Sequence, residues 1–137
     1  MTATITITNP ILSGMNPDPS WIWDDEFQRI VLVTSTFELV PGLPIYVSED
    51  MTCWKHVSNV VDADLARRLL IPFVDDSGGV YAPTLRRIHG KYVIACTIAR
   101  LDDRRAMEGG CTESELMRFH AAEGNFILEA DSIEGPW

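Results

Sequence analysis

A chain of 137 residues suits a single domain with a real core, and its formal net charge of −9 would repel a phosphate backbone or an anionic membrane, so neither nucleic acid nor a membrane is expected as a partner. No apolar run approaches the ~18 residues of a membrane span, and the N-terminal Met-Thr-Ala-Thr-Ile-Thr-Ile-Thr lacks the basic and apolar regions of a secretory signal, which predicts a cytoplasmic protein, or a secreted one if the start is mis-assigned. Cys53, Cys96 and Cys111 form an odd set without CxxC spacing, so a disulfide framework, a zinc knuckle and a cofactor are all unexpected.

Residues 2–8 (TATITIT) alternate β-branched and other residues and read as a short strand. Residues 16–20 follow as Asn-Pro-Asp-Pro-Ser. Each proline fixes its own φ and pushes the residue before it toward an extended backbone, so Asp18, held between two rings, should present an aimed carboxylate. The five residues alone read more readily as a surface turn. Trp21-Ile22-Trp23 is a second short strand, and Asp24-Asp25-Glu26 is the expected hairpin turn. Residues 29–36 (RIVLVTST) carry the strongest strand signal, nearly continuous and thus expected to be buried on both faces.

Pro41-Gly42 marks a turn before the strand Ile45-Tyr46-Val47, and residues 48–54 lead into another strand at 55–58, with Trp54 expected in the core. Residues 64–70 (DLARRLL) form the first helical pattern, with Asp62 or Asp64 as N-cap and Pro72 as the stop. Gly78-Gly79 reads as a flexible turn. Pro83 demotes the strand at 80–86 to an edge or a bulge. His89-Gly90 turns the chain into the strand at 91–98 (KYVIACTI), and residues 100–110 read as a charged loop. Thr112-x-x-Glu115 has capping-box form ahead of a short helix, and residues 125–129 (NFILE) make the last strand. Short strands joined by turns argue an all-β architecture. Their spacing suits propeller blades of about 40–45 residues, of which this length holds about three.

The motifs taken together resemble glycoside hydrolase family 43, the β-xylosidase and α-L-arabinofuranosidase-like group. The resemblance rests on Asn9-Pro10-Ile11-Leu12, Gly14, Asn16-Pro17-Asp18-Pro19-Ser20, residues 34–38 (TSTFE), 41–46 (PGLPIY), Ser48-x-Asp50, Trp54, 78–84 (GGVYAPT), Gly90-Lys91-Tyr92 and Gly135-Pro136-Trp137, in the family's order over most of the chain. It implies an incomplete five-bladed β-propeller, about its first two to three blades, with residues 1–137 as the N-terminal part of the catalytic domain. It also implies inverting hydrolysis of xylo- or arabino-oligosaccharides. The position matching the general base is Asp18, and those matching sugar-contacting aromatics are Phe37 and Tyr81; the family usually has Trp where Tyr81 stands. Without the resemblance, both rings would be read as core. The family's second Asp and its general-acid Glu lie beyond the segment matched here. Glu108, Glu113, Glu115 and Glu123 fit a solvated face or a helix cap instead.

Cys111, Glu113 and His120 fit no zinc spacing. Ser35 lacks a nucleophile-elbow context and is read as a cross-strand pairing residue. Two other readings stand beside the hydrolase. One is a non-catalytic propeller fragment or sugar-binding remnant that self-associates through open sheet edges, and the other is a small β-sandwich interaction module.

Overall fold

A computed structural model of the chain describes residues 4–137. Ser20–Asp24 (β1), Arg29–Val33 (β2), Gly42–Ser48 (β3) and Lys55–Val61 (β4) form an antiparallel meander, and Val74–Ile88 (β5), Lys91–Leu101 (β6) and Asn125–Ala130 (β7) form a second. Short helices at Ala63–Arg68 (α1), Asp103–Glu108 (α2) and Glu113–Ala121 (α3), with a 3-10 turn at Ile71–Phe73, fill the connections. The protein is therefore all-β in plan, with two sheets.

The pleat explains how the two sheets meet. Residues directly opposite in an antiparallel pair share a face, so Val31 and Val33 of β2 turn with Ile45 toward the second sheet, where Leu85, Ile94 and Ile98 complete one apolar cluster. The opposite face of β1 leaves Trp21 and Trp23 largely exposed, across from Leu32 and Ile30. As expected, Ile30 through Thr36 are all buried, and Pro83 coincides with a register shift between Tyr81 and Thr84 on an edge strand. Asp62, rather than Asp64, caps α1 by accepting from the Leu65 N–H at 2.8 Å. Thr112 and Glu115 complete the capping box of α3.

Five expectations need correction. Residues 4–8 carry no strand and are exposed, and the rest of that expected strand lies outside the described residues. Gly78 and Gly79 are inside the long β5 rather than in a turn. Residues 100–110 are not a loop, because Arg100 and Leu101 finish β6 and Asp102 then caps α2, whose Ala106 packs with Leu70, Cys111 and Leu116 in a small separate core. Trp54 is only half-buried, its indole N–H donating to the Met51 carbonyl at 3.1 Å. Finally, Asp24 is no turn residue. It is the last residue of β1 and fully buried, and Asp25 to Gln28 make the turn.

Asp24 explains how β1 is fastened to β5. Arg87 Nη1 lies 2.5 Å from its Oδ1 and Arg29 Nε 3.6 Å from its Oδ2, while the Tyr92 hydroxyl donates to Oδ2. Arg87 also reaches Glu26. At the other end of the same seam the Leu85 N–H donates to Ser20 Oγ at 3.0 Å. A buried carboxylate is tolerated only when its charge is opposed and its oxygens are bonded, and both conditions are met.

Candidate active site

The loop before β1 meets the extension of β2 at Ser35. The Ser35 N–H donates to the Pro17 carbonyl at 3.0 Å, and its hydroxyl donates to Asp18 Oδ2 at 2.6 Å. Ser35 is fully buried, whereas Asp18 is exposed. Pre-proline sterics predict an extended Asp18, but its φ is +49°. This left-handed backbone is unusual for a residue other than glycine, and here the tertiary tie through Pro17 and Ser35 overrides the local preference.

Phe37 also has a positive φ, +54°. It bridges to the second sheet by paired backbone hydrogen bonds with Val80, at 3.1 and 2.9 Å. Gly79 makes that approach possible. Its φ is +96°, and a Cβ there would lie 2.2 Å from the Phe37 carbonyl oxygen. The bridge brings the Phe37 and Tyr81 rings to 4.7 Å between centroids, tilted by 36°. Both rings are half-buried, and the Tyr81 hydroxyl is anchored on the Ser77 carbonyl.

Cys96 joins the two halves. Its thiol donates to the Tyr81 carbonyl at 2.9 Å, and burial pushes it up to about 12, with the nearby Asp18 carboxylate adding to the rise. It is therefore an uncharged, inert thiol at neutral pH. The structure thus connects Asp18, Phe37 and Tyr81 through two residues that sequence reasoning did not assign to the site, Ser35 and Cys96. Ser35 does not pair across strands as expected; it bonds the site loop. Only its place between Thr34 and Phe37 in the resemblance motif pointed that way.

An open groove of about 650 Å³, lined by Ala82, Cys96, Thr97, Asn125, Phe126 and Ile127, continues along the second sheet from this cluster. A separate cavity of about 410 Å³ lies against α1 and α3, lined by Arg68, Arg118 and Phe119 among others, and shares no residue with the Asp18 cluster. The other acidic candidates lie elsewhere: Glu108 ends α2 and pairs with Arg104, Glu113 and Glu115 open α3, and Glu123 follows it. Among the described residues, no group of three or more His, Cys, Asp or Glu is placed to hold a metal ion, and no helix is long and apolar enough to cross a membrane.

Chemically, the cluster offers a carboxylate with one oxygen bonded to a neutral hydroxyl and the other without a protein partner among the described residues, beside a pair of aromatic faces. Such a set suits a ligand that presents hydroxyl groups and C–H faces together.

The sequence model for glycosyl hydrolases family 43 matches residues 7–137. A relative from Escherichia coli strain K12 is 39% identical over 131 residues, covering 96% of this chain. The non-reducing end α-L-arabinofuranosidase BoGH43B of Bacteroides ovatus is 36% identical over 134 residues, and the xylan 1,3-β-xylosidase of a Vibrio species is 35% identical over 136. These matches span 96% and 98% of this chain but only 21% and 22% of those two proteins. The chain thus spans about a fifth of the length of the curated relatives it matches. Among solved structures, Bacteroides ovatus xyloglucan PUL GH43B superposes with a TM-score of 0.72 at 34% identity, covering 96% of this chain and 22% of that one. The xylan β-1,4-xylosidase from Bacillus halodurans C-125 gives 0.70 at 29% identity, with the same coverage of each.

Proposed function

Because the chain belongs to glycosyl hydrolase family 43, we propose that it forms the first arc of a glycosidase catalytic domain, an incomplete five-bladed propeller that acts on xylose- or arabinose-containing oligo- or polysaccharides. The observation that carries this reading is the exposed Asp18 carboxylate, held by the buried Ser35 near the tilted Phe37–Tyr81 pair. Asp18 is the general base. Its carboxylate takes a proton from a water whose oxygen attacks the anomeric carbon, while a carboxylic acid from outside this segment protonates the leaving oxygen and the configuration inverts. Inverting sites hold the two carboxyl groups about 6.5–9.5 Å apart to admit that water. Phe37 and Tyr81 pack against the sugar ring, and the smaller Tyr81, in place of the family's usual Trp, alters the shape of that contact.

The names of the relatives support the substrate class, since they include an arabinofuranosidase and a xylosidase. The test joins residues 1–137 to the remaining length of a family relative and measures release of aryl alcohol from an aryl β-xyloside and an aryl α-arabinofuranoside. Asp18→Ala should lower kcat about 10²–10⁴-fold, the usual contribution of general-base assistance. Undiminished release would rule out the assigned role.

A second reading is that the 137-residue chain by itself is a non-catalytic, at most sugar-binding, unit. It is favoured by the positions of Glu108, Glu113, Glu115 and Glu123 in or next to the two helices rather than in the Asp18 cluster. Turnover by the purified 137-residue chain would contradict it.

A further inference from the structure

We propose that Ser35 is a positioning residue for Asp18: its hydroxyl holds the carboxylate in one rotamer by bonding Oδ2, leaving Oδ1 without a hydrogen-bond partner among the described residues. The proposal rests on the base assignment above, and its own evidence is geometric. Ser35 is fully buried, yet its hydroxyl reaches an exposed carboxylate. That hydroxyl has one proton and two acceptors in reach, Asp18 Oδ2 at 2.6 Å and the Pro17 carbonyl at 3.3 Å. The shorter, charge-assisted bond takes the proton, and the Pro17 carbonyl already receives the Ser35 N–H at 3.0 Å.

Backbone and side chain are thus tied to the same residue. The N–H fixes the loop and the hydroxyl fixes the carboxylate. The neighbouring thiol does not compete, because Cys96 donates to the Tyr81 carbonyl. An exposed Asp on a left-handed backbone would otherwise sample several χ1 wells, and a base averaged over wells spends little time aligned with one water. Reaction rates fall steeply when a catalytic group is misplaced by about 1 Å. Ser35 keeps its own proton throughout, so it orients the carboxylate without serving as acid, base or nucleophile.

The test uses the 137-residue chain and NMR couplings that report the Asp18 χ1 angle. The wild type should show a single rotamer. Ser35→Ala should give couplings averaged over rotamers, while amide shifts outside residues 16–20 and 34–38 stay unchanged, and Ser35→Thr, which keeps the hydroxyl, should restore the single rotamer. A purely packing role for Ser35 would leave the Asp18 couplings as in the wild type, and that outcome overturns the proposal. If Ser35→Ala fails to fold, Asp18→Asn provides the second arm: loss of the charged acceptor should speed exchange of the Ser35 hydroxyl proton, and unchanged exchange also overturns it. Failure of the base assignment would appear separately, as undiminished turnover after Asp18→Ala in the joined polypeptide.

Discussion

The seam where β1 meets β5 has an aspartate at each end, and the two are built for opposite purposes. Asp24, the last residue of β1, is fully buried and answered by Arg87, Arg29 and Tyr92. Asp18, just before β1, is exposed and has a single hydroxyl donor among the described residues. At the Asp24 end every oxygen is engaged, so the group holds the sheets together and has no valence left for a ligand. At the Asp18 end one oxygen has no partner among the described residues, and the carboxylate sits on a left-handed backbone that two neighbours must stabilise. Strain of this kind costs about 1–3 kcal/mol per residue and tends to collect where function needs it.

The sharpest way to break the comparison is to delete each carboxylate. Asp24→Ala leaves Arg87 and Arg29 without their buried counter-charge, and removing one partner of a buried pair typically costs about 3–5 kcal/mol. Urea unfolding of the 137-residue chain should show that loss as a lower midpoint. Asp18→Ala should cost less, about 1–2 kcal/mol, from the lost bond to Ser35 and from an alanine placed on the left-handed backbone. Equal losses for the two would mean that Asp18 also belongs to the fold's framework.

Gly79→Ala comes next, because it attacks the bridge that brings Phe37 to Tyr81. The residue needs a positive φ, and the added methyl would overlap the Phe37 carbonyl. A loss of about 2 kcal/mol is expected from backbone strain and the displaced bridge together. Near-ultraviolet circular dichroism should report the disturbed Phe37–Tyr81 pair, and an unchanged spectrum with unchanged stability would show that the close approach is dispensable.

What could be read in advance follows the range over which each interaction acts. The run from Arg29 to Val33 declares itself through composition, and Thr112 with Glu115 through a spacing of three; both interactions are local, and both were readable. Asp24 was misread as a turn because its acidic neighbours say turn, while the residue that buries it, Arg87, is 63 positions away. The family motifs single out Asp18 as a site candidate, but the extended backbone that its two prolines argue for is not the one observed, because a contact from Ser35, 17 residues on, wins. The helix at Asp103–Glu108 hid behind charge and the following glycines, although Asp102 is an ordinary cap. For both aspartates, a partner distant in sequence outvoted a local preference.

Raising the pH probes the buried thiol that bonds the Tyr81 carbonyl. The Cys96 thiol ordinarily ionises near 9.0, and burial pushes it up to about 12 in the folded chain. Between those values the unfolded state binds fewer protons than the native state, so stability should fall as pH rises across that window, by about 1.4 kcal/mol per pH unit at the steepest. Burial and the bond to Asp24 push the Tyr92 phenol up as well, which adds a fall of the same sign at higher pH. Comparing the wild type with Cys96→Ala by urea unfolding at pH 8 and pH 10.5 isolates the thiol: the variant should lose less stability over that interval. Equal losses would show that burial does not hold the Cys96 thiol above its ordinary range.

The smallest effect concerns a third aspartate, and it sharpens what sets Asp18 apart. Asp50 is exposed like Asp18 and also accepts from a hydroxyl, Thr52 Oγ1 at 2.6 Å. It additionally accepts from the Thr52 and Cys53 N–H groups at 2.8 and 3.1 Å and from Ser48 Oγ at 3.3 Å. These bonds, the Thr52 hydroxyl foremost, hold its carboxyl at about 2 rather than its ordinary 3.8. A depressed carboxyl stabilises the fold above its unfolded value and loses that stabilisation as pH falls through the folded one, so the turn should weaken only between about pH 4 and pH 2. Thr52→Ala removes the leading donor and should raise the Asp50 titration midpoint, followed by carboxyl NMR, with little change in global stability at pH 7. A midpoint that stays near 2 would mean that the backbone donors alone set it. Exposure and a hydroxyl partner are therefore not what mark Asp18 out; Asp50 has both, but its oxygens are taken up by its own turn, whereas one Asp18 oxygen has no partner among the described residues.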